Sequence, residues 1–156
     1  MDIPIWKIVM AARQFDLTCD EIESFDQSKF NATAPHVVNS ALTCELYLKA
    51  LSLITTGKIT KGHDLQSLYL RQTPEVRDNI YKEYYVSHQT RSVPEKYKGD
   101  MSEKIFAGLL AEVKDVFVAW RYIYEMPNES IRLGILTFLR MSLRKVTSKL
   151  YDGADF

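Results

Sequence analysis

The segment around Asn39 to Leu51 constrains the fold more than any other part of the sequence. When it is placed on a helix at about 100° per residue, a wide apolar arc appears. The residues of this arc are Val37, Val38, Ala41, Leu42, Cys44, Leu46, Leu48, Leu51 and Leu53. The arc predicts a helix whose broad side is packed and around which the chain is organised.

Three polar residues, Glu45, Lys49 and Ser52, interrupt the apolar arc. Glu45 precedes Lys49 by four positions, the favourable order for an ion pair on a helix. A solvated pair would lie on the polar face, whereas this pair points toward the packed side. The pair is therefore the first candidate for a polar site in this protein.

Helical spacing continues along the chain, and no segment alternates apolar and polar residues as a half-buried strand would. The predicted helices are 2–24, 34–56, 64–71, 73–88, 100 or 102 to 125, and 128 or 130 to 151. Residues 89–99 are predicted to form an exposed loop. The pattern predicts a single all-α domain over residues 1–156, an up-and-down helical bundle of four long helices and one or two short ones.

Three of these helices carry apolar stripes that are predicted to pack inward, and the stripe of the last helix contains Ile135, Leu139, Leu143, Val146 and Leu150. The stripe of the first helix contains Trp6, Val9, Met10, Arg13 and Leu17. The stripe of helix 102–125 contains Phe106, Leu110, Val113, Phe117, Trp120 and Tyr124.

The charges of the chain cancel, with twenty acidic and twenty basic residues. No global field is therefore expected to hold nucleic acid or an acidic membrane. The distribution is nevertheless uneven. An acidic run contains Asp16, Asp20, Glu21, Glu23 and Asp26, and the basic last helix contains Arg132, Arg140, Arg144, Lys145 and Lys149. We interpret them as two solvated helix faces that attract each other or a neighbouring subunit.

No residue pattern in the chain predicts a metal or a cofactor. Cys19 and Cys44 lack metal-ligand spacing, and His36, His63 and His88 are widely scattered. A glycine-rich phosphate loop and a nucleophile elbow are also absent from the sequence. With no signal peptide and no apolar run of about 18 residues, we expect a cytoplasmic protein without membrane contact.

His63 lies in the loop after the predicted central helix, between Gly62 and Asp64. One interpretation is local: Gly62 permits the turn, Asp64 caps the next helix, and the imidazole bonds to nearby backbone. The other is acid–base work or phosphate contact, which needs a partner. Because a short loop returns the chain beside the end of the central helix, Glu45 and Lys49 are candidate neighbours.

The segment Trp120-Arg-Tyr-Ile-Tyr-Glu125 is the second unusual cluster. Arg121 either pairs with Glu125 four residues later or reaches across the bundle to Glu45. Its guanidinium also suits a phosphate, and Tyr122 is able to stack on a base. A structural network and a nucleotide site fit these residues equally well.

Two motifs resemble those of the HEPN superfamily of helical-bundle proteins. The first runs from Asn39 to Leu51 and continues in Gly62-His-Asp-Leu65, and the second, Trp120-Arg-Tyr-x-Tyr-Glu125, is similar to a signature of one HEPN subgroup. The resemblance extends over residues 34–125. It implies a small helical bundle, usually homodimeric, in a bacterial toxin–antitoxin, phage-defence or RNA-processing system. An antitoxin or another defence-system component is the protein partner that it implies.

Catalytic HEPN proteins are metal-independent endoribonucleases with an arginine followed closely by a histidine. Arg121 matches the arginine, but Glu125 stands four residues later and no histidine follows His88. A glutamate can act as a base but cannot supply the cationic acid that histidine supplies. The chain therefore departs from the usual ribonuclease pattern.

Three functions remain open: a module that binds RNA, a nucleotide or a partner protein, a divergent endoribonuclease, and a structural dimerisation scaffold. The candidate catalytic residues are Arg121, Glu125 and His63, and the candidate nucleotide- or RNA-binding residues are Glu45, Lys49 and Tyr122. The neutral charge and the missing histidine favour the binding module over the ribonuclease.

Overall fold

A computed structural model describes residues 3–25, 32–89, 102–122 and 133–151. These ranges contain seven helices: α1 (Ile5–Ser24), α2 (Thr33–Thr56), α3 (Leu65–Leu70), α4 (Pro74–Gln89), α5 (Glu103–Ala111), α6 (Val116–Arg121) and α7 (Leu133–Leu150). The same ranges contain no strand, and the helices pack as a bundle. The predicted all-α helical bundle is confirmed.

Helix α2 lies at the centre of the bundle, in contact with α1, α3, α6 and α7. Val37, Ala41, Cys44, Leu48 and Leu51 on its apolar arc are all completely buried. The helix is long and apolar enough to cross a membrane by composition alone, but 61% of its most apolar window is buried inside the bundle. Val38, Leu42, Leu46 and Leu53, the other residues of the arc, are only partly buried, so neighbouring helices cover most of the predicted arc and not all of it.

The ends of three helices follow local signals in the sequence. Gly57 ends α2 in the left-handed conformation, with φ of 70°, and its N–H donates to the carbonyl of Leu53 at 3.0 Å. Asp64 caps α3 by accepting from the N–H of Ser67 at 2.8 Å. Ser102 caps α5 in the same manner.

The predicted long helix 102–125 is wrong as a single element, because α5 and α6 are separated by a turn at residues 112–115. At this turn the N–H groups of Glu112 and Val113 bond three residues back instead of four. The carbonyl of Lys114, which lies in this turn, accepts a hydrogen bond from the N–H of Leu65 at 3.1 Å. This bond satisfies a free N–H in the first turn of α3 and joins the two elements.

The packing face predicted for α1 is wrong for most of its stripe. Trp6, Met10 and Leu17 are 55%, 50% and 46% exposed, and only Val9 of the apolar stripe is buried. The face that packs on α2 is built from smaller residues: Ile8, Val9, Ala12, Cys19 and Ile22. Small side chains let the two helices approach closely, and the larger apolar residues are left outside.

Candidate functional site

The Glu45 carboxylate is buried on α2 and has two partners. Glu45 is only 3% exposed. Lys49 Nζ donates to Glu45 Oε1 at 2.6 Å, and His63 Nδ1 lies 2.9 Å from Oε2 and 3.0 Å from Oε1. A buried carboxylate is costly without such partners, so this pairing explains how an acid is accommodated within an apolar arc.

The loop between α2 and α3 brings His63 to Glu45. Gly62 adopts φ of 107°, a backbone conformation that side chains rarely allow, and it turns the chain back toward α2. Ser52 fastens the start of the loop by donating to the carbonyl of Lys58 at 2.8 Å. The cap at Asp64 fixes its end. The loop is therefore held at both ends, with His63 beside the carboxylate.

The hydrogen bond to Glu45 determines which nitrogen of His63 carries the proton. A carboxylate only accepts, so Nδ1 is the donor. The side chain is 59% exposed, and Nε2 makes no hydrogen bond to another described residue. His63 thus presents one nitrogen to the buried acid and leaves the other for a ligand.

A row of aromatic and cationic groups extends outward from His63. The ring of Phe117 on α6 stacks on the imidazole, with centroids 6.0 Å apart and planes inclined by 27°. The Arg121 guanidinium carbon lies 5.4 Å from the Phe117 centroid and 5.8 Å from that of Tyr122. Both distances are within the range of cation–π attraction. We call Glu45, Lys49, His63, Phe117, Arg121 and Tyr122 the stacking site.

The stacking site contains five of the six predicted site residues. Arg121 makes no direct pair with Glu45 among the described residues; Phe117 and His63 lie between them. Glu125, the sixth, lies outside the described residues. Phe117 is the member that sequence reasoning missed, because its apolar character and helical spacing indicated a core role. One signal in the sequence could have identified it: Phe117 precedes Arg121 by four positions, so the two side chains share one face of a helix.

A second polar cluster joins α1 to α7 and was not predicted as a site. Arg140 is 1% exposed and Asp16 is completely buried. Arg140 Nη1 donates to Asp16 and, at 2.7 Å, to Asp20, while Nη2 donates to Glu23 at 2.9 Å. Arg144 also donates to Asp16 and, at 2.7 Å, to Asp20. We call these five residues the ionic cluster.

The ionic cluster corrects the interpretation of two solvated helix faces. The acidic and basic faces do attract each other, but Asp16 and Arg140 meet inside the protein and not at its surface. Tyr47 of α2 adds a hydrogen bond to Asp16 at 2.9 Å. Burial and the neighbouring Asp16 carboxylate raise the pKa of Tyr47, which keeps this hydroxyl protonated as a donor.

The pKa values of two acids in the ionic cluster are lowered. Burial opposes the charged form of Asp20, but hydrogen bonds from Arg140 and Arg144 outweigh it and bring its pKa below the ordinary value. His36 Nε2 lies 3.0 Å from Glu23 Oε1, and this hydrogen bond is the main reason why the pKa of Glu23 is lowered. Both carboxylates are accordingly held in their ionised forms.

The buried thiols show no sign of special reactivity. Cys19 and Cys44 are both completely buried and unpaired. Burial raises the pKa of each thiol, so the reactive thiolate is disfavoured. Across residues 3–25, 32–89, 102–122 and 133–151, no three His, Cys, Asp or Glu side chains are grouped so that they could hold a metal ion.

Comparison with models of protein families, with curated proteins and with solved structures finds no match to this chain. The resemblance to HEPN proteins therefore stays a prediction that rests on the two motifs.

Proposed function

We propose that this protein is a regulatory module that binds RNA or a nucleotide at the stacking site. The observation that carries the proposal is the row of His63, Phe117 and Arg121 beside the half-exposed ring of Tyr122. Proteins that bind unpaired bases use such combinations of aromatic faces and arginine.

The chemistry of the row suits a base joined to a phosphate. Tyr122 as a whole residue is 44% exposed, and its aromatic ring is the kind of group on which an unpaired base stacks. Arg121 is exposed beside it, and its planar guanidinium donates in the fork geometry that matches phosphate oxygens. The side chain of His63 is exposed at the other end of the row and adds a hydrogen-bonding nitrogen. A single nucleotide contains a base that can stack and a phosphate that accepts hydrogen bonds, so the row offers a group for each part.

Glu45 and Lys49 act in this proposal by positioning His63. The carboxylate of Glu45 orients the imidazole, and the ammonium group of Lys49 balances the buried charge. The side chain of Lys49 is only 16% exposed, so its main contact is with Glu45 and not with solvent. This arrangement keeps the exposed nitrogen of His63 in place before a ligand arrives, which lowers the cost of binding.

The neutral net charge supports local recognition over general affinity for nucleic acid. With twenty charges of each sign, few phosphates can be neutralised at once. We therefore expect binding to an unpaired base or a short single strand, with a shallow dependence on salt. The resemblance to HEPN proteins adds the proposal that the module serves a bacterial toxin–antitoxin or phage-defence type of system, with a protein partner from that system.

Fluorescence anisotropy with short single-stranded RNA and with labelled nucleotides tests the proposal. We expect Tyr122→Ala and Arg121→Ala each to weaken binding about 5- to 150-fold, the range for loss of one stacked base. Lys82→Ala is the matched control, because Lys82 is an exposed cation on α4 paired with Asp78. Wild-type protein that binds neither probe, or variants that bind like Lys82→Ala, would contradict the proposal.

A divergent endoribonuclease is the second candidate, and one observation favours it. The Nδ1–H group of His63 donates to Glu45, so Nε2 is available as a base for a ribose hydroxyl. The ring of Phe117 contacts both this imidazole and the guanidinium of Arg121. In this reading Arg121, His63 and Glu125 are catalytic. Loss of RNA cleavage in Arg121→Ala, His63→Ala and Glu125→Gln, with EDTA present throughout, would establish the enzyme.

Absence of both binding and cleavage would favour the third function, a structural dimerisation scaffold. A pulldown of partner proteins from cells is then the next experiment. In that case the buried Glu45 serves only to specify the packing of α2 and the following loop.

A further inference from the structure

We infer that the ligand of the stacking site is a short single strand and not a mononucleotide, and that its phosphate backbone continues along the loop between α2 and α3. The inference rests on the proposed function and adds to it the class of ligand and a second group of residues that bind it. These residues are Lys58, Lys61 and Arg71, which we call the cationic edge. All three are exposed.

The cationic edge concentrates positive charge in a chain whose charges cancel. Residues 58–71 include three lysines or arginines and one acid, Asp64, although the whole chain is neutral. The Asp64 carboxylate is used locally, because it accepts from the N–H of Ser67 at 2.8 Å as the cap of α3. Lys58 and Lys61 have no acidic partner within the described part of the chain. A local patch of this kind attracts phosphate where the molecule as a whole does not.

The cationic edge adjoins the His63 end of the stacking site. Lys61 precedes His63 by two positions in the same loop, and Arg71 Nη1 donates to the carbonyl of Lys61 at 3.1 Å. Arg121 lies at the other end of the row, beyond the rings of His63 and Phe117. Cations therefore stand at both ends of a stack of rings. A strand offers the matching order, with a base that stacks and a backbone phosphate on each side of it.

The backbone of the cationic edge is fixed before a ligand arrives. The carbonyl of Lys58 accepts from Ser52 Oγ at 2.8 Å. Ile59, which lies between the two lysines, packs against a buried apolar cluster of α1 and α2. The bond from Arg71 holds the carbonyl of Lys61. Because the loop is already ordered, less of the attraction between its cations and a phosphate is lost to ordering the backbone.

The separation of Arg121 from the cationic edge determines the class of ligand. A mononucleotide has one phosphate, which binds at Arg121 or at the edge but not at both. A nucleoside triphosphate carries more charge, but its phosphates are joined directly to one another and lie on one side of a single base. A strand has a phosphate on each side of an inner base, so it contacts both cationic groups while that base stacks on the aromatic rings.

Fluorescence anisotropy of the full chain with labelled tetrauridylate, in competition with UMP and with UTP, tests this inference. We expect the strand to bind at least about 10-fold more tightly than either mononucleotide, because only the strand contacts Arg121 and the cationic edge together. This difference is larger than the statistical advantage of four equivalent bases. The logarithm of the affinity should fall with the logarithm of the salt concentration with a slope of about −1.4, the value for two phosphates of a single strand.

The double variant Lys58→Ala/Lys61→Ala removes two cations of the edge and leaves the stacking site intact. It should weaken the binding of tetrauridylate about 3- to 30-fold and keep the binding of UMP within about 2-fold of the wild type. Its salt slope should fall to about −0.7, for the one phosphate that remains at Arg121. Lys82→Ala/Lys145→Ala is the matched control, because it removes the same charge from exposed lysines of α4 and α7. The control should keep the wild-type affinity and slope.

The possible failures are distinguishable. Equal affinities for tetrauridylate and UMP, or for tetrauridylate and UTP, would overturn the inference and leave the proposed function standing. A control variant that weakens the strand as much as Lys58→Ala/Lys61→Ala would also overturn it, because general charge would then be responsible. If no probe binds, the proposed function fails and the inference fails with it. Circular dichroism of each variant separates loss of binding from loss of the fold, since the substituted lysines are exposed.

Discussion

Glu45 is the residue on which the geometry of the stacking site depends. Its carboxylate is buried within the apolar arc of α2, and it contacts Lys49 on the same helix and His63 eighteen positions away. The Lys49 contact follows from helical spacing, so the sequence predicts it. The His63 contact depends on the path of the loop between α2 and α3. The only features of the sequence that indicate this path are the short length of the loop and its glycine, Gly62.

The first prediction concerns removal of this carboxylate. Glu45→Ala leaves Lys49 and His63 without their shared acceptor, so we expect a loss of about 1–3 kcal/mol in the free energy of unfolding in urea. Nitrogen NMR of His63 should show the Nδ1 proton in the wild type and no fixed tautomer in the variant.

Glu83→Ala is the matched control for Glu45→Ala. Glu83 also pairs with two lysines, Lys145 and Lys149, but both of these are at least half exposed. Its removal should cost at most about 1 kcal/mol, as for other surface pairs. Equal losses in the two variants, or an unchanged His63 tautomer in Glu45→Ala, would refute the role assigned to Glu45.

The second prediction concerns acid sensitivity at the ionic cluster. Asp20 and Glu23 have pKa values below their ordinary 3.8 and 4.5, so the folded state binds protons less readily than the unfolded chain. Their stabilisation is complete above about pH 5 and is lost as the pH falls through the lowered values.

Urea unfolding between about pH 7 and about pH 3 measures this effect. The double variant Asp20→Asn/Glu23→Gln should lose stability less steeply in acid than the wild type. The control variant Asp78→Asn/Glu75→Gln removes two acids of α4 and should retain the wild-type slope. Parallel curves for the wild type and for Asp20→Asn/Glu23→Gln would count against the ionic cluster as an acid-sensitive element.

At the scale of elements, the loop from Gly57 to Asp64 connects the fold to the stacking site. The cap of Asp64 on α3 fixes the backbone next to His63. Ser102 caps α5 by the same kind of bond, but in another part of the chain. Substitution of each cap should therefore lower the stability of the fold, whereas only substitution of Asp64 should also affect binding at the stacking site.

The third prediction compares these caps. Asp64→Ala and Ser102→Ala should each lower the free energy of unfolding by about 1 kcal/mol. Only Asp64→Ala should also weaken RNA or nucleotide binding, because it loosens the loop that presents His63. Urea unfolding and anisotropy on the same preparations check both statements; a loss of binding in both variants, or in neither, would show that the loop does not act in this way.

Elements determined by local signals were predicted well from the sequence. The extent of α2, its end at Gly57 and the cap at Asp64 depend on residues close in sequence. The division between α5 and α6 depends on the bond between the Lys114 carbonyl and Leu65, which no local pattern indicates. The exposed stripe of α1 was misassigned because helical spacing does not reveal which of two apolar faces is packed.

At the scale of the whole molecule, polar groups divide between two places with different environments. In the ionic cluster each charged group has a partner of opposite charge, and Asp16 and Arg140 are buried together between α1 and α7. The stacking site is open, and its arginine and one nitrogen of its histidine lack an acidic partner among the described residues. The charge pattern gave attraction between α1 and α7 as one of two alternatives, the other being attraction to a neighbouring subunit, and it did not predict that the charges are buried.

The proposed function requires that an unpaired base binds at the stacking site. The most direct measurement is a titration of labelled protein with a short single-stranded RNA, followed by proton–nitrogen NMR. We expect the largest shifts at His63, Phe117, Arg121 and Tyr122, with the ionic cluster and α1 unchanged. Shifts centred on α1 or α7, or no shifts at millimolar RNA, would show that RNA does not bind at the stacking site.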